Sequence, residues 1–368
     1  MILFWTEPEY LLMLAGWLAG LAVSLVALLR VRRRLRQRGV LTLGKSRGLG
    51  TILALWSALA TLTALELFFV CFVDQSDAFN GTNVSKRWFR RYMDGQKNAD
   101  DFRDRRTLDD PVPPGTKRII VFGDSYTAGH GIKRMDDRFT ERLERLLNAG
   151  GPERVQVYNM GWPGYEVSLV EAMLRAVLEH QKQVDVVIYC YMMNDIEGYD
   201  PRTEEFLKQV NSRQPTNPLI TRTYFLNWVY FRWQQLRTDA ETNYFPHLKD
   251  SYNTTAWLNV AASLERMRAR CEAAGVEFRL VLFPFMQDLG PDYPFRDAHA
   301  KLAAWAQEHN VPVLDMEPLL SAHRHERIRV NAFDAHPNEY ANRLFAEAIY
   351  EWLKDDPRLG ATAQGPER

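Results

Sequence analysis

Val121-Phe-Gly-Asp-Ser-Tyr-Thr-Ala-Gly129 is the stretch on which the fold turns. Arg118 to Phe122 reads as a short buried strand, Gly123-Asp-Ser125 as a turn at its carboxyl end, and Arg138 to Leu147 as a helix. The alternation then repeats. Strands are expected at Val155 to Asn159, at the apolar run Val184 to Tyr191, at Glu277 to Phe283 and at Val311 to Asp315. Between and after them lie helical patterns at Val167 to His180, at Ala256 to Ala274 closed by Gly275, at Ala298 to His309, and at Pro337 to Leu353 with proline at the start. Repeated β-α units imply a parallel sheet with helices on both faces, hence a three-layer α/β/α sandwich of about five strands. Residues 196–253 do not fit the alternation and are too long for an ordinary connection. They carry Tyr199, Phe206, Tyr224, Phe225, Trp228, Tyr230, Phe231, Trp233, Tyr244, Phe245 and Tyr252, and are expected to hold local helices over one edge of the site, as packing or as a lid.

In an open parallel sheet, ligands bind beyond the carboxyl ends of the strands. Four polar clusters fall there: Gly123-Asp-Ser125, Asn159-Met-Gly-Trp-Pro-Gly164, Met193-Asn-Asp195 and Phe333-Asp-Ala-His-Pro337. Together they supply what acyl transfer needs. A serine hydroxyl is a weak nucleophile until a base stands beside it, and a histidine can be that base if a carboxylate holds its tautomer. Asp334 and His336 are two apart, so in an extended segment both side chains point the same way. A glycine such as Gly164 lets backbone approach a substrate, and Asn194 offers a neutral N–H donor for an oxyanion. Asp124 and Asp195 read as supporting hydrogen bonders. His130, five residues after Ser125, is the rival base and reads as a helix-face or loop residue. Thr127 stands where a G-x-S-x-G nucleophile elbow needs its second glycine, which excludes that arrangement.

These residues resemble the SGNH hydrolase superfamily, also called GDSL esterases, over roughly Lys117 to Leu353. The resemblance implies a flavodoxin-like fold. It also implies Ser125 as nucleophile, an oxyanion hole formed by Ser125, Gly164 and Asn194, and His336 with Asp334 completing the triad. Two positions depart from the usual pattern: Met192 replaces a glycine two before the asparagine, and Asp-x-His replaces Asp-x-x-His. No cofactor or metal is implied.

Ahead of the α/β region, Tyr10 to Leu29 and Leu49 to Val73 are apolar enough to cross a membrane as helices, with Glu66 the one charge in the second. Met1 to Tyr10 has no Lys or Arg, and a basic run follows the first apolar stretch in place of a cleavage site, so a retained span is expected over a signal peptide. Arg30, Arg32, Arg33, Arg34, Arg36, Arg38, Lys45 and Arg47 lie between the spans and place that loop, residues 30–48, in the cytoplasm. The expected plan is a transmembrane hairpin over 1–73, a juxtamembrane segment over 74–115, a hydrolase-like domain over 116–357 and a tail over 358–368, with the domain periplasmic at the inner membrane. Lys plus Arg and Asp plus Glu are both 46, so no basic field points to nucleic acid. Cys71, Cys190 and Cys271 are too few for a disulfide framework. The expected partners are membrane lipid, an acylated carbohydrate or lipid substrate and, through Glu66, another membrane protein. The expected activity is removal of acyl groups, acetyl above all, from an envelope carbohydrate or lipid. The alternatives are acyl transfer beside a membrane acyl exporter and an inactive glycan-binding module.

Overall fold

The computed structural model describes residues 6–40, 42–151, 154–180, 182–203, 205, 208, 214–237 and 240–359. Phe206 and most of the expected tail lie outside them. In chain order the helices are α1 Pro8–Gln37, α2 Leu43–Phe72 and α3 Asn83–Tyr92. The α/β region follows: β1 Lys117–Gly123, α4 Ser125–Ala128, α5 Phe139–Leu147, β2 Val155–Gly161, α6 Val167–Glu179 and β3 Val186–Met192. The long connection holds α7 Pro218–Thr221, α8 Phe225–Arg237 and α9 Ala240–Ser251. The chain then runs through α10 Thr255–Ala273, β4 Glu277–Phe283, α11 Arg296–Glu308, β5 Val313–Asp315, α12 Glu317–Ala322, β6 Arg329–Asn331, β7 Asp334–Pro337 and α13 Glu339–Leu353.

Contacts divide the chain into two units that do not follow chain order. The first gathers Met1–Gln75, Asn80–Arg90 and Pro215–Arg237; the second holds Ser76–Phe79, Arg91–Gln214 and Thr238–Arg368.

The second unit is built on a five-stranded parallel sheet in the order β2-β1-β3-β4-β5. β2 and β3 are buried along their whole length, as parallel strands covered on both faces must be. Their residues, such as Val186, Val187 and Ile188, are β-branched and suit that setting. β1 lies between β2 and β3, so the turn after β1 is flanked by the ends of both neighbours. A two-stranded antiparallel ribbon, β6-β7, precedes the last helix. The expected start of that helix at Pro337 is corrected: Pro337 closes β7, and Asn338 caps α13 by accepting from the amides of Tyr340 and Ala341, each at 3.0 Å.

In the first unit, α1 and α2 are 30 residues each and long and apolar enough to cross a membrane. Their sides expose large apolar residues such as Leu12 (74%) and Leu55 (67%). The basic stretch expected as a loop over 30–48 is mostly helix. Arginine is a good helix former, so α1 continues to Gln37 and is followed by Gly39 at φ +65°. Glu66 is buried and engaged by this chain. It accepts from the Tyr10 hydroxyl and from the amides of Tyr224 (2.7 Å) and Phe225 (2.8 Å).

Candidate active site

Gly123 ends β1 and Asp124 caps the single turn of α4, its carboxylate accepting from Tyr126 N at 2.9 Å. Gly129, at φ +72°, ends that turn. The turn is pressed against the end of β2, because a Cβ on Gly161 would stand 2.6 Å from the Ala128 nitrogen. Gly161 is therefore a glycine of close approach between two turns of the chain. Gly164 has φ +83° and nothing of this chain within 4 Å of an added Cβ, so its backbone conformation calls for glycine and its surroundings stay open. Asn159 fastens the two turns, accepting from Gly161 N at 2.9 Å and donating to Thr127 O at 2.7 Å.

β7 brings Asp334 and His336 to the same side of one short strand. His336 Nδ1 lies 2.6 Å from Asp334 Oδ1, and His336 Nε2 lies 2.8 Å from Ser125 Oγ. Asp334 is fully buried, while Ser125 is partly open to solvent. Asp334 Oδ1 also accepts the His336 amide at 3.1 Å. Ser125 Oγ stands 3.1 Å from Asp124 Oδ2 as well. One hydroxyl proton cannot serve both acceptors. With neutral His336, Ser125 donates to Nε2. With protonated His336, Nε2 donates to Ser125, which then donates to Asp124.

The electrostatics follow from burial and pairing. Burial alone would push the Asp334 carboxyl up, but His336, His130 and Ser76 outweigh it and hold it below the usual carboxylate range. Burial opposes charge on His336, yet Asp334 beside it raises the imidazole above its ordinary value. Asp124 is raised by burial, against hydrogen bonds from the Tyr126 and Ser125 backbone and the charge of His336. Asp195, under the end of β3, is raised by burial. It accepts from Tyr189 Oη at 2.6 Å and from Met192 N at 3.2 Å, and so holds the turn that presents Asn194.

Three further groups complete the surroundings, two of them, Ser76 and Glu197, not expected from the sequence. Ser76 is buried and donates to Asp334 Oδ2. His130 lies beside His336, ring centroids 4.4 Å apart with the planes tilted by 34°, and its Nε2 is 3.1 Å from the Asp77 carbonyl. That contact places the proton on Nε2. Burial and the neighbouring His336 lower His130 to about 4, so it stays neutral. Glu197, which accepts from the Tyr244 hydroxyl, is pushed up to about 7 by burial. Residues 76–79 lie far from the site in sequence and leave no local pattern, whereas His130 was visible as the histidine nearest Ser125. Ligand atoms of His130, Asp334 and His336 lie within 4.8 Å of one another, but the two carboxylate oxygens already serve His336 and Ser76. A cleft of about 910 Å³ is lined by Phe245, Lys249, Met286, Arg324, Ile328 and Arg329 among others. Ser125, Asp334 and His336 do not line it. It borders β7, the strand of Asp334 and His336, through Arg329, which pairs with Pro337.

A family model described as the GDSL-like Lipase/Acylhydrolase family matches residues 121–344. No curated protein matches the chain. Among solved structures, the chain is similar to a member of the lipolytic protein G-D-S-L family from Veillonella parvula DSM 2008. The identity is 19%, over 64% of this chain and 97% of that one, with a TM-score of 0.38. A lipolytic protein of the same family from Desulfitobacterium hafniense DCB-2 gives 16% over 64% and 99%, with a TM-score of 0.38. A catalytic mutant of the acetylxylan esterase Axe2 from Geobacillus stearothermophilus gives 17% over 70% and 100%, with a TM-score of 0.42.

Proposed function

The chain belongs to the GDSL-like lipase/acylhydrolase family and is a serine hydrolase of ester bonds; we propose that it removes acyl groups, acetyl foremost, from a cell-envelope carbohydrate or lipid while anchored in the membrane. The observation that carries the mechanism is the continuous chain Asp334–His336–Ser125, with contacts of 2.6 and 2.8 Å. Ser125 Oγ bonds to the ester carbonyl carbon as its proton passes to His336 Nε2. The carbonyl electrons move onto oxygen, which the N–H groups of Ser125 and Gly164 and the Asn194 amide receive. When the tetrahedral adduct collapses, the C–O bond to the alcohol breaks and His336 protonates the leaving oxygen. Water then gives a proton to His336 as its oxygen attacks the acyl carbon, and when this second adduct collapses the bond to Ser125 Oγ breaks, His336 returns the proton to Oγ and the acid leaves. The cleft beside Arg329 offers room for the alcohol portion.

The anchor reading rests on α1 and α2 and their exposed apolar sides. The arginines of the α1 carboxyl end then face the cytoplasm, and the catalytic unit works on the outer side. A fluorophosphonate probe tests the enzyme reading: the full chain labels and Ser125→Ala does not. Equal labelling of both, or none of the wild type together with no turnover of an ester panel of increasing chain length, overturns it. Product analysis with a sugar acceptor tells hydrolysis from transfer, because transfer leaves the acyl group on the added sugar.

A further inference from the structure

We infer that α7 and α8 form a membrane-docking surface whose partner is the outer leaflet of the bilayer; this rests on the reading of α1 and α2 as spans. Two features set the depth of α8. Its first amides, Tyr224 and Phe225, are held by Glu66, and the Tyr10 hydroxyl shares that carboxylate. Tyr10 opens the apolar stretch of α1, and Leu29 ends it about 28 Å further along at ~1.5 Å per residue. On α2 the apolar stretch from Leu49 to Glu66 covers about 26 Å. Both lengths approach the ~30 Å hydrocarbon core, so the Tyr10–Glu66–Tyr224 junction falls at its outer boundary.

The junction is built, not incidental. Asn83 Nδ2 donates to the carbonyls of Thr221 (2.9 Å) and Thr223 (2.8 Å), and Asn227 Oδ1 accepts from Asn83 N at 2.7 Å. Phe69 of α2 meets the rings of Phe225 and Trp228 at 5.3 and 5.4 Å. Arg87 closes the carboxyl end of α2 by donating to the carbonyls of Val70 and Val73 at 2.8 and 2.7 Å, with its guanidinium 4.5 Å over the Tyr224 ring.

One face of α8 is thereby consumed. Leu226, Val229, Tyr230 and Trp233 recur at the three-four spacing of a single helical stripe on the other face. Val229 is 41% and Trp233 45% exposed, and Leu219 on α7 is 66% exposed. Water is a poor partner for such a stripe, whereas the headgroup boundary favours it, and Tyr and Trp in particular. On α2, which meets α8 through Phe69, Phe68 and Phe72 are likewise 53% and 72% exposed. The aromatic residues of this segment thus anchor the hairpin laterally in the leaflet.

Nitroxide labels on single cysteines test this in the full chain, with Cys71→Ser as background because Cys190 and Cys271 are buried. The protein is placed in phosphatidylcholine/phosphatidylglycerol vesicles, and collision with oxygen is compared with collision with a water-soluble nickel chelate. Labels at Leu219, Val229 and Trp233 are expected to favour oxygen several-fold over a label at Leu258 on α10, and a label at Leu55 marks the span. If Val229 and Trp233 behave like Leu258 while Leu55 favours oxygen, the docking surface is refuted and the spans stand. If Leu55 also favours the chelate, the span reading fails and takes this inference with it.

Discussion

Replacing Asp334 with asparagine removes a charge and little else. Asp334 Oδ1 accepts both the His336 Nδ1–H at 2.6 Å and the His336 amide at 3.1 Å, and an asparagine oxygen can take the same two bonds. The new NH₂ then points at Ser76 Oγ, which turns from donor to acceptor. The tautomer that leaves Nε2 free for Ser125 is therefore kept, and the loss is the attraction between carboxylate and imidazolium. For unit charges about 4 Å apart at an effective dielectric constant near 20, that attraction is about 4 kcal/mol. At about 1.4 kcal/mol per factor of ten, kcat falls about 10³-fold with KM nearly unchanged. Asp334→Ala removes the acceptor too and costs about tenfold more.

The pH profile separates this account from a merely structural one. With neutral His336 as the proposed base and Asp334 raising its pKa, kcat/KM of the wild type is expected to rise through a limb above the free-imidazole value of about 6.5. Asp334→Asn moves that limb to lower pH. The same pairing enters stability with a definite sign. A raised histidine stabilises fully below its unfolded value, near 6.5, and the contribution is lost as pH rises through the folded value. Hydrolysis of a 4-nitrophenyl ester by the full chain in detergent, from about pH 5 to 9, reads the limb. A loss below tenfold, or an acid limb that stays in place, refutes the assignment of Asp334.

Ser76→Ala removes a hydrogen bond to a buried carboxylate, worth about 1.5–3 kcal/mol. Shared between folding and catalysis, it lowers both the melting temperature and kcat, the latter about tenfold at unchanged KM; an unchanged kcat counts against Ser76 as a positioning residue. Glu66→Leu strands the Tyr224 and Phe225 amides and the Tyr10 hydroxyl. Residues 215–237 should then be cut by protease several-fold faster than in wild type, while the α/β unit stays resistant. Wild-type cleavage rates there would show that Glu66 does not hold α8. The acid limb of Glu66→Leu should match wild type, since His336 and its partners belong to the other unit.

How far the sequence carried depends on the range of the contacts involved. β4 is legible to the residue, Glu277–Phe283, because an apolar run begins just past a helix-ending glycine and both signals are local. The first helix is misread at its end for a local reason as well. Charge suggests loop, yet arginine propagates a helix once one has started, and α1 ends only at Gln37, with Arg38 as its cap just before Gly39 at φ +65°. The last helix is misread at its start because proline suits both a helix's first turn and the close of an edge strand. Here the pairing of Arg329 with Pro337 decides for the strand.

The meeting of Ser125, His336 and Asp334 was legible because topology alone brings strand ends to one edge, and the two-residue spacing of Asp334 and His336 needs only an extended backbone. What tunes those residues was not legible. Ser76 reaches Asp334 across 258 positions, and Glu66 reaches Tyr224 across 158. Neither contact adds periodicity, a motif or a charge pattern to its own neighbourhood. The aromatic segment shows the consequence. Composition made 196–253 look like one insertion, but Phe225 and Trp228 pack on Phe69 of the hairpin while Tyr244 hydrogen-bonds Glu197 beneath the site. Only a distant acceptor divides them. Glu66, from outside the insertion, satisfies the two amides that start α8, and so assigns that helix to the hairpin and leaves α9 to the site.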